Sequence, residues 1–177
     1  EHNGDYNGAL QDGISMTQAT IAKGRRMSTA YCYLDPARGR ANLRIETGAL
    51  TEALILEGTR CVGVRYSVDG VSHEARAGRE GIISAGSINS PQLLELSGIG
   101  QPEVLGEHGI AVQHALPGVG ENLRDHYAPR MLWEVTAPNL TYNDKARGVR
   151  MVWQALRYAV KGSGLLGLPA SPIRAYV

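Results

Sequence analysis

The sequence has no marked excess of charge of either sign. Its 18 Lys and Arg residues almost balance 17 Asp and Glu residues, which leaves a net charge of +1. This balance offers no electrostatic attraction to nucleic acid or to an anionic membrane surface. No apolar run approaches the roughly 20 residues that a bilayer-spanning helix needs. We therefore expect neither a nucleic-acid partner nor a membrane span.

Cysteine is scarce as well, with only Cys32 and Cys61 in the chain. Two cysteines make no disulfide framework, and these two lack the spacing of metal ligands. Cys61 alternates with apolar neighbours in a strand pattern, so we expect it to be a buried free thiol. Free thiols are typical of a reducing compartment. We therefore expect a cytoplasmic location, with peripheral association with a membrane as the alternative.

The usual marks of natural chain ends are also missing. Residues 1–5 have neither an initiator Met nor the charged-then-apolar pattern of a signal peptide, and residues 172–177 form no polar tail. What is present is ordinary: 177 residues, of which 43% are hydrophobic and 20% charged, the composition of a globular protein. We expect an internal piece of a longer protein.

The most informative stretch covers residues 79–100 and reads R-E-G-I-I-S-A-G-S-I-N-S-P-Q-L-L-E-L-S-G-I-G. It predicts a buried strand over 81–84, a turn at Ser84-Ala85-Gly86 and a short helix with Ser90 as N-cap and Pro91 at the first helical position. Leucines form the apolar face and glycines end the helix (Leu93, Leu94 and Leu96; Gly98 and Gly100).

A glycine turn of this kind gathers backbone N–H groups at the positive end of a helix dipole, an arrangement that suits a pyrophosphate. On these residues alone, an ordinary strand–turn–helix connection is the better-supported interpretation.

Residues 42–77 predict an antiparallel meander. Apolar and polar residues alternate from Asn42, an apolar run follows at 54–56, and turn residues at 57–60 and 69–70 separate three strand-like segments. The last of these segments covers 71–77. We expect the meander to lead directly into the buried strand at 81–84.

The N-terminal part is less regular. Residues 1–30 are rich in Gly, Asn, Asp and Thr and predict an extended surface loop, in which we interpret the basic residues 23–26 as solvated. Residues 28–34 predict a short helix that ends before Asp35-Pro36, because the residue before a proline disfavours the α region.

After residue 100 the patterns predict a short helix at 102–108, an extended run at 110–116 and a weak strand at 131–136. Residues 147–161 show helical spacing with Gly162 as the stop. We interpret the apolar stripe of this helix as core rather than as a cofactor site; its members are Val149, Val152, Trp153, Leu156 and Val160.

Two further patterns in this region are weak. The lone Gly118-Val119-Gly120 lacks the third glycine and the βαβ context of a dinucleotide fingerprint. Asp125 beside His126 offers a carboxylate and an imidazole. Because adjacent residues of a strand point to opposite faces, we expect a structural role for His126.

Several segments resemble the glucose–methanol–choline (GMC) family of flavin oxidoreductases. Residues 86–100, G-S-I-N-S-P-Q-L-L-E-L-S-G-I-G, fill every position of the second signature of that family. The segments G-R-R-M-S-T-A (24–30), N-L-R-I-E-T-G-A-L-T (42–51) and L-P-G-V-G-E-N-L-R-D-H (116–126) are also similar to it. The resemblance is specific over residues 3–130 and looser beyond, and the choline and alcohol dehydrogenase branch is most similar.

The resemblance implies an α/β fold with α+β character, which is part of an FAD-binding GMC fold and leads into a substrate-binding domain. It implies FAD as cofactor, an alcohol as substrate, and oxygen, a quinone or another electron acceptor. The cofactor-binding residues that it implies are Thr51, Ser84, Ala85, Gly86 and Asp125. A valine is common in the family at Thr51, and a β-branched strand residue explains Thr51 about equally well. No catalytic residue is assigned, because the catalytic His of the family lies beyond residue 177.

By the same resemblance, residues 1–41 cover the flavin and substrate region, 42–126 are the C-terminal part of the FAD-binding domain, and 127–177 begin the substrate-binding domain. The sequence has no G-x-G-x-x-G at the end of a first strand, and so no fingerprint for the FAD pyrophosphate. The alternative is therefore a non-catalytic relic or binding module derived from a flavoprotein. A nicotinamide-dependent dehydrogenase is disfavoured, because the predicted sheet is antiparallel and no acidic residue follows a glycine fingerprint.

Overall fold

The computed structural model describes residues 1–129, 131–169 and 171–176. It divides into two compact units: unit 1 joins Glu1–Leu43 to the described part of Arg130–Val177, and unit 2 is Arg44–Pro129. The strands are β1 (Gly13–Met16), β2 (Ile21–Ala22), β3 (Arg25–Arg26), β4 (Ala49–Glu57), β5 (Arg60–Val68), β6 (Val71–Arg76), β7 (Ile99–Gly100), β8 (His114–Ala115) and β9 (Ile173–Tyr176). The helices are α1 (Asp35–Ala37), α2 (Gly86–Leu96), α3 (Pro102–Glu107), α4 (Tyr142–Lys145) and α5 (Gly148–Lys161).

The predicted meander is confirmed as the sheet of unit 2. Strands β4, β5 and β6 pair antiparallel in sequence order. The turn between β5 and β6 has Asp69 and Gly70 at φ of +50° and +79°, a conformation that aspartate and glycine tolerate well. The first strand starts later than predicted, at Ala49 rather than Asn42, because Gly48 adopts φ of +68° and interrupts the extended path.

The prediction of a strand at 81–84 is wrong. These residues are irregular and Ile82 is 80% exposed. An apolar run becomes a buried strand only where neighbouring strands pair with its backbone, and within the described residues none does so.

The helix after this segment also begins earlier than predicted. Helix α2 starts at Gly86, so Pro91 lies inside it and Ser90 is not its N-cap. Packing of the buried Leu93 compensates for the backbone hydrogen bond that Pro91 cannot donate. The predicted stop is confirmed, because Gly98 follows the helix with φ of +80°.

The rest of unit 2 is a small parallel arrangement. Strand β7 pairs with β8, and helix α3 connects them, as the extended run and the short helix of the sequence predicted. The buried apolar side chains of the unit are Ala53, Leu93, Leu105 and Val119. They lie on β4, α2, α3 and the segment after β8, so the core forms where the helices meet the sheet.

Unit 1 contains short strands where the sequence predicted only a loop. Strand β1 pairs with β9, with Met16 opposite Ile173, and β2 pairs with β3. The buried Tyr6 stacks on Tyr176 at a ring-centroid distance of 5.6 Å. The predicted helix at 28–34 becomes a π-helical turn, Ala30–Leu34, that continues through α1. The continuation is tolerated because Pro36 lies in the first turn of α1, where a missing N–H costs little.

Helix α5 is confirmed, and it ends at Gly162 in the left-handed conformation. Its apolar stripe is not core: Val149 is 86% exposed, Trp153 63% and Val160 72%. The strand predicted at 131–136 is not formed either, and Leu132 is 95% exposed. In the described part of the chain, no helix combines the length and the apolar character needed to cross a membrane.

Candidate functional site

The five predicted cofactor-binding residues all lie in unit 2. Three of them, Ser84, Ala85 and Gly86, form the exposed turn that opens helix α2. The Ala85 N–H donates to Ser90 Oγ at 3.0 Å, which fixes the turn against the helix. Gly86 adopts φ of +92°, so a side chain there would be strained.

The first amides of α2 offer hydrogen-bond donors at this turn. The first N–H groups of a helix have no acceptor within it and carry its positive dipole end. Apart from its chain neighbours and the backbone of its own helix, no described heavy atom lies within 4 Å of the position that a Cβ of Gly86 would take, and Gly86 and Ser87 are exposed. An oxygen-rich ligand can therefore approach the backbone at this point.

Thr51 lies on β4, opposite Tyr66 of β5. Thr51 is exposed, and an irregularity of the ladder between Thr51 and Ala53 breaks the regular alternation of side chains. Thr51 borders a cavity of about 530 Å³. The residues that line this cavity are Arg44, Glu46, Ala49, Thr51, Val64, Tyr66, Glu74 and Ala75.

The cavity has a charged and aromatic wall. The Arg44 guanidinium donates to Glu46 at 2.8 Å, and this hydrogen bond, with the charge of the carboxylate, raises the pKa of Arg44. Tyr66 stacks on His73 at a ring-centroid distance of 5.5 Å. The wall therefore offers an exposed cation paired with a carboxylate, and a flat aromatic face.

A residue that sequence reasoning did not single out connects these elements. Ser97, directly after α2, accepts the Leu54 N–H of β4 at 2.8 Å and donates to the Leu93 carbonyl at 2.6 Å. Its only signal in the sequence is its place in the S-G-I-G motif; that it reaches β4 is visible only in the fold.

Asp125 stands apart from the other four residues. Its carboxylate accepts the backbone N–H of His126 at 2.7 Å, and no hydrogen bond or ion pair connects it to the other four among the described residues. The segment is not a strand, so the argument from opposite strand faces does not apply. The carboxylate contacts the backbone rather than the imidazole.

The segment before Asp125 is anchored to the helices. Val119 is buried, and a side chain at Gly120 would lie 2.8 Å from Glu95 Oε1 of α2. Gln101 Nε2 donates to Glu121 Oε1 at 2.6 Å. Helix α2 therefore contacts both β4 and this segment.

Cys61, predicted to be buried, is a partly exposed free thiol.

Comparison with known proteins agrees with the predicted resemblance. The model of the family described as GMC oxidoreductase matches residues 1–128. The chain is 50% identical over 139 residues to an oxygen-dependent choline dehydrogenase of Chromohalobacter salexigens, covering 78% of this chain and 25% of that protein. It is 44% identical over 160 residues to the human mitochondrial choline dehydrogenase, covering 90% of this chain and 27% of that protein.

The chain thus spans about a quarter of the length of these relatives. Among solved structures, a formate oxidase variant of Aspergillus oryzae RIB40 superposes with a TM-score of 0.77 at 24% identity, covering 94% of this chain and 29% of that one. That likeness confirms the predicted fold. With a family match over residues 1–128, the chain belongs to the GMC oxidoreductase family.

Proposed function

We propose that this chain is part of an FAD-dependent oxidoreductase that oxidises the CH–OH group of an alcohol, in the manner of a choline dehydrogenase. The observation that carries the proposal is the 50% identity over 139 residues to a protein named oxygen-dependent choline dehydrogenase. The human relative carries the name choline dehydrogenase as well. A hydroxyl-bearing quaternary ammonium compound is therefore the first substrate to test.

The exposed turn at Ser84, Ala85 and Gly86 fits one part of such a cofactor. The Ala85 amide is bonded to Ser90 Oγ, but Gly86 and Ser87 are exposed at the positive end of α2, which suits the phosphate or ribose oxygens of a dinucleotide. In the described sheet β4 is an edge strand, and alternate residues of an edge strand leave backbone groups unpaired, which supports a backbone contact at Thr51. The exposed Asp125 carboxylate offers an acceptor for a hydroxyl. In this proposal these residues bind and orient FAD.

When bound, the flavin supplies the hydride acceptor for the alcohol carbon. The residues of this chain hold the dinucleotide in place and carry no proton step; the histidine that handles the hydroxyl proton lies outside residues 1–177. We propose residues 42–126 as the cofactor-binding part, supported by the compactness of Arg44–Pro129. Residues 1–41 then cover the flavin and 127–177 begin the substrate domain. A cytoplasmic location is part of the same proposal.

The experiment uses the natural protein that contains this sequence. It is purified, and its flavin is identified after release by denaturation. Choline and simple primary and secondary alcohols are then tested for reduction of the flavin without oxygen, and for turnover with oxygen or a quinone dye as acceptor. We expect FAD and hydroxyl-dependent reduction, and no reduction by a quaternary ammonium compound without a hydroxyl. Absence of both flavin and turnover contradicts the proposal and leaves the non-catalytic module.

A further inference from the structure

Ser97 makes two short hydrogen bonds in a buried position. The residue is 8% exposed, and its hydroxyl accepts the Leu54 N–H at 2.8 Å and donates to the Leu93 carbonyl at 2.6 Å. A hydroxyl has one proton to donate and lone pairs to accept, so both partners are satisfied at the same time. The hydroxyl therefore joins the last turn of α2 to the backbone of β4.

The Leu54 N–H depends on this hydroxyl. In the described part of the chain β4 pairs with one strand, β5, so donors on its other side must find acceptors outside the sheet. Leu54 is half-buried, and an unpaired buried donor is costly. Removal of the Ser97 hydroxyl thus leaves the Leu54 N–H without this acceptor and removes the hydrogen bond between β4 and the end of α2.

Both elements carry residues of the proposed cofactor surface. Strand β4 carries Thr51, three residues before Leu54, and α2 begins at the turn of Ser84, Ala85 and Gly86. We propose that Ser97 is a positioning residue for FAD: it fixes the spacing between the strand and the helix so that both contact the same dinucleotide. This inference rests on the proposed function, and Ser97 itself touches no cofactor.

The surroundings of Ser97 make a conservative variant feasible. A cavity of about 350 Å³ borders Ser97, Leu54 and Ala53, so the extra methyl group of a threonine has room. Ser97→Thr retains the hydroxyl. Ser97→Ala removes it, and Ser97→Cys replaces it with a thiol, which is a weak donor and acceptor. The matched control is Leu105→Ala, because Leu105 is 1% exposed on α3 and its truncation lowers stability without removing the bond between β4 and α2.

The test is made in the full natural protein. The flavin content after purification and the dissociation constant of FAD for the flavin-depleted protein are measured, together with its unfolding temperature. We expect Ser97→Ala to raise the dissociation constant about tenfold, as the loss of one buried hydrogen bond predicts. Ser97→Thr restores tight binding, and Leu105→Ala lowers the unfolding temperature but leaves the dissociation constant unchanged.

Three results overturn the inference. If Ser97→Ala binds FAD with wild-type affinity, the inference is wrong, although the proposed function is unaffected. If Leu105→Ala loses affinity for FAD in proportion to its loss of stability, the inference is also wrong, because FAD binding then follows general stability rather than the bond made by Ser97. If the wild-type protein itself binds no FAD, both the proposed function and this inference are wrong. Should Ser97→Ala not fold, the comparison of Ser97→Cys with Ser97→Thr decides in the same way.

Discussion

At the scale of single residues, Gly98 is a position where backbone geometry strongly restricts the side chain. It has φ of +80°, and a Cβ there would overlap the Ala111 carbonyl oxygen. Its own carbonyl accepts the N–H groups of Gln113 and His114. Gly98 is therefore the point at which the end of α2 packs directly on the backbone that leads to β8.

We expect Gly98→Ala to lower the free energy of unfolding by roughly 2 kcal/mol or more, because left-handed backbone costs about 1–2 kcal/mol and the overlap adds to it. The matched control is Gly106→Ala. Gly106 lies inside α3 with open space around its Cβ position, so that variant gains roughly 0.5–1 kcal/mol. Urea unfolding of the natural protein measures both; equal stability of the two variants contradicts the structure at Gly98.

Asp144 shows the clearest electrostatic effect in unit 1. It forms a capping box with Thr141 at the start of α4. The Thr141 hydroxyl, which lies 2.7 Å from the carboxylate, and then the Thr141 N–H lower the pKa of Asp144 below its ordinary value of 3.8. Because the folded pKa is depressed, the stabilisation is complete above pH 3.8 and is lost as the pH falls through the folded pKa.

We expect a carboxyl titration followed by NMR to give Asp144 a pKa below 3.8, and Thr141→Ala to move it back toward that value. Thr141→Ser retains the hydroxyl and serves as the control. An unchanged pKa in Thr141→Ala shows that the capping box is not formed in solution.

At the scale of elements, local patterns predicted what local interactions decide. The meander was predictable because alternation and the turn residues Asp69 and Gly70 act within a few positions of the chain. Strand β1 was not, since Met16 pairs with Ile173, and no local pattern records such a partner. The apolar run 81–84 was predicted as a strand and does not form one. Its residues favour a strand locally, but a strand also needs neighbouring strands that pair with its backbone.

The same division holds for the candidate site. The turn of Ser84, Ala85 and Gly86 was predictable by resemblance, because contiguous residues form it. The role of Ser97 was not, because its partner Leu54 lies 43 positions away in the chain. Residues that act across elements become visible only once the elements are packed.

The apolar stripe on α5 leads to a prediction about the isolated chain. Trp153 is 63% exposed beside Val149, Leu156 and Val160, and contiguous apolar surface of this kind promotes association. We expect the 177-residue chain to bind hydrophobic dyes and to self-associate. Trp153→Glu weakens self-association by roughly tenfold or more, since burial of one large side chain contributes roughly 1.5–3 kcal/mol.

The matched control for this prediction is Ala155→Glu. It adds the same charge to the same helix but outside the stripe, where Ala155 is exposed. Analytical ultracentrifugation and dye fluorescence compare the variants, and an equal effect of both substitutions means that charge rather than the stripe governs association.

At the scale of the whole molecule, little apolar surface is removed from water in either unit. Tyr6 is the buried apolar residue of the described part of unit 1, and unit 2 has Ala53, Leu93, Leu105 and Val119. The G-x-G-x-x-G at residues 162–167 follows helix α5 rather than a strand, so it is not the fingerprint that binds a dinucleotide pyrophosphate. In the proposed function, this chain therefore supplies only part of the cofactor site, on a small core.

We expect the isolated 177-residue chain to retain no FAD through gel filtration and to show no alcohol-dependent dye reduction. The natural protein serves as the positive control in the same assay. Turnover by the isolated chain, or flavin that remains bound to it in stoichiometric amount, contradicts this expectation.

The pairing of β1 with β9 has a consequence for synthesis on the ribosome. Met16 emerges first and Ile173 last. At about 5–20 residues per second, β1 waits on the order of 10 s for its partner. Unit 2 is contiguous, Arg44–Pro129, and can fold during that interval. The nascent chain therefore carries an unpaired edge strand and an unstacked Tyr6 until translation has passed Tyr176, and that is the interval in which a chaperone has most to protect.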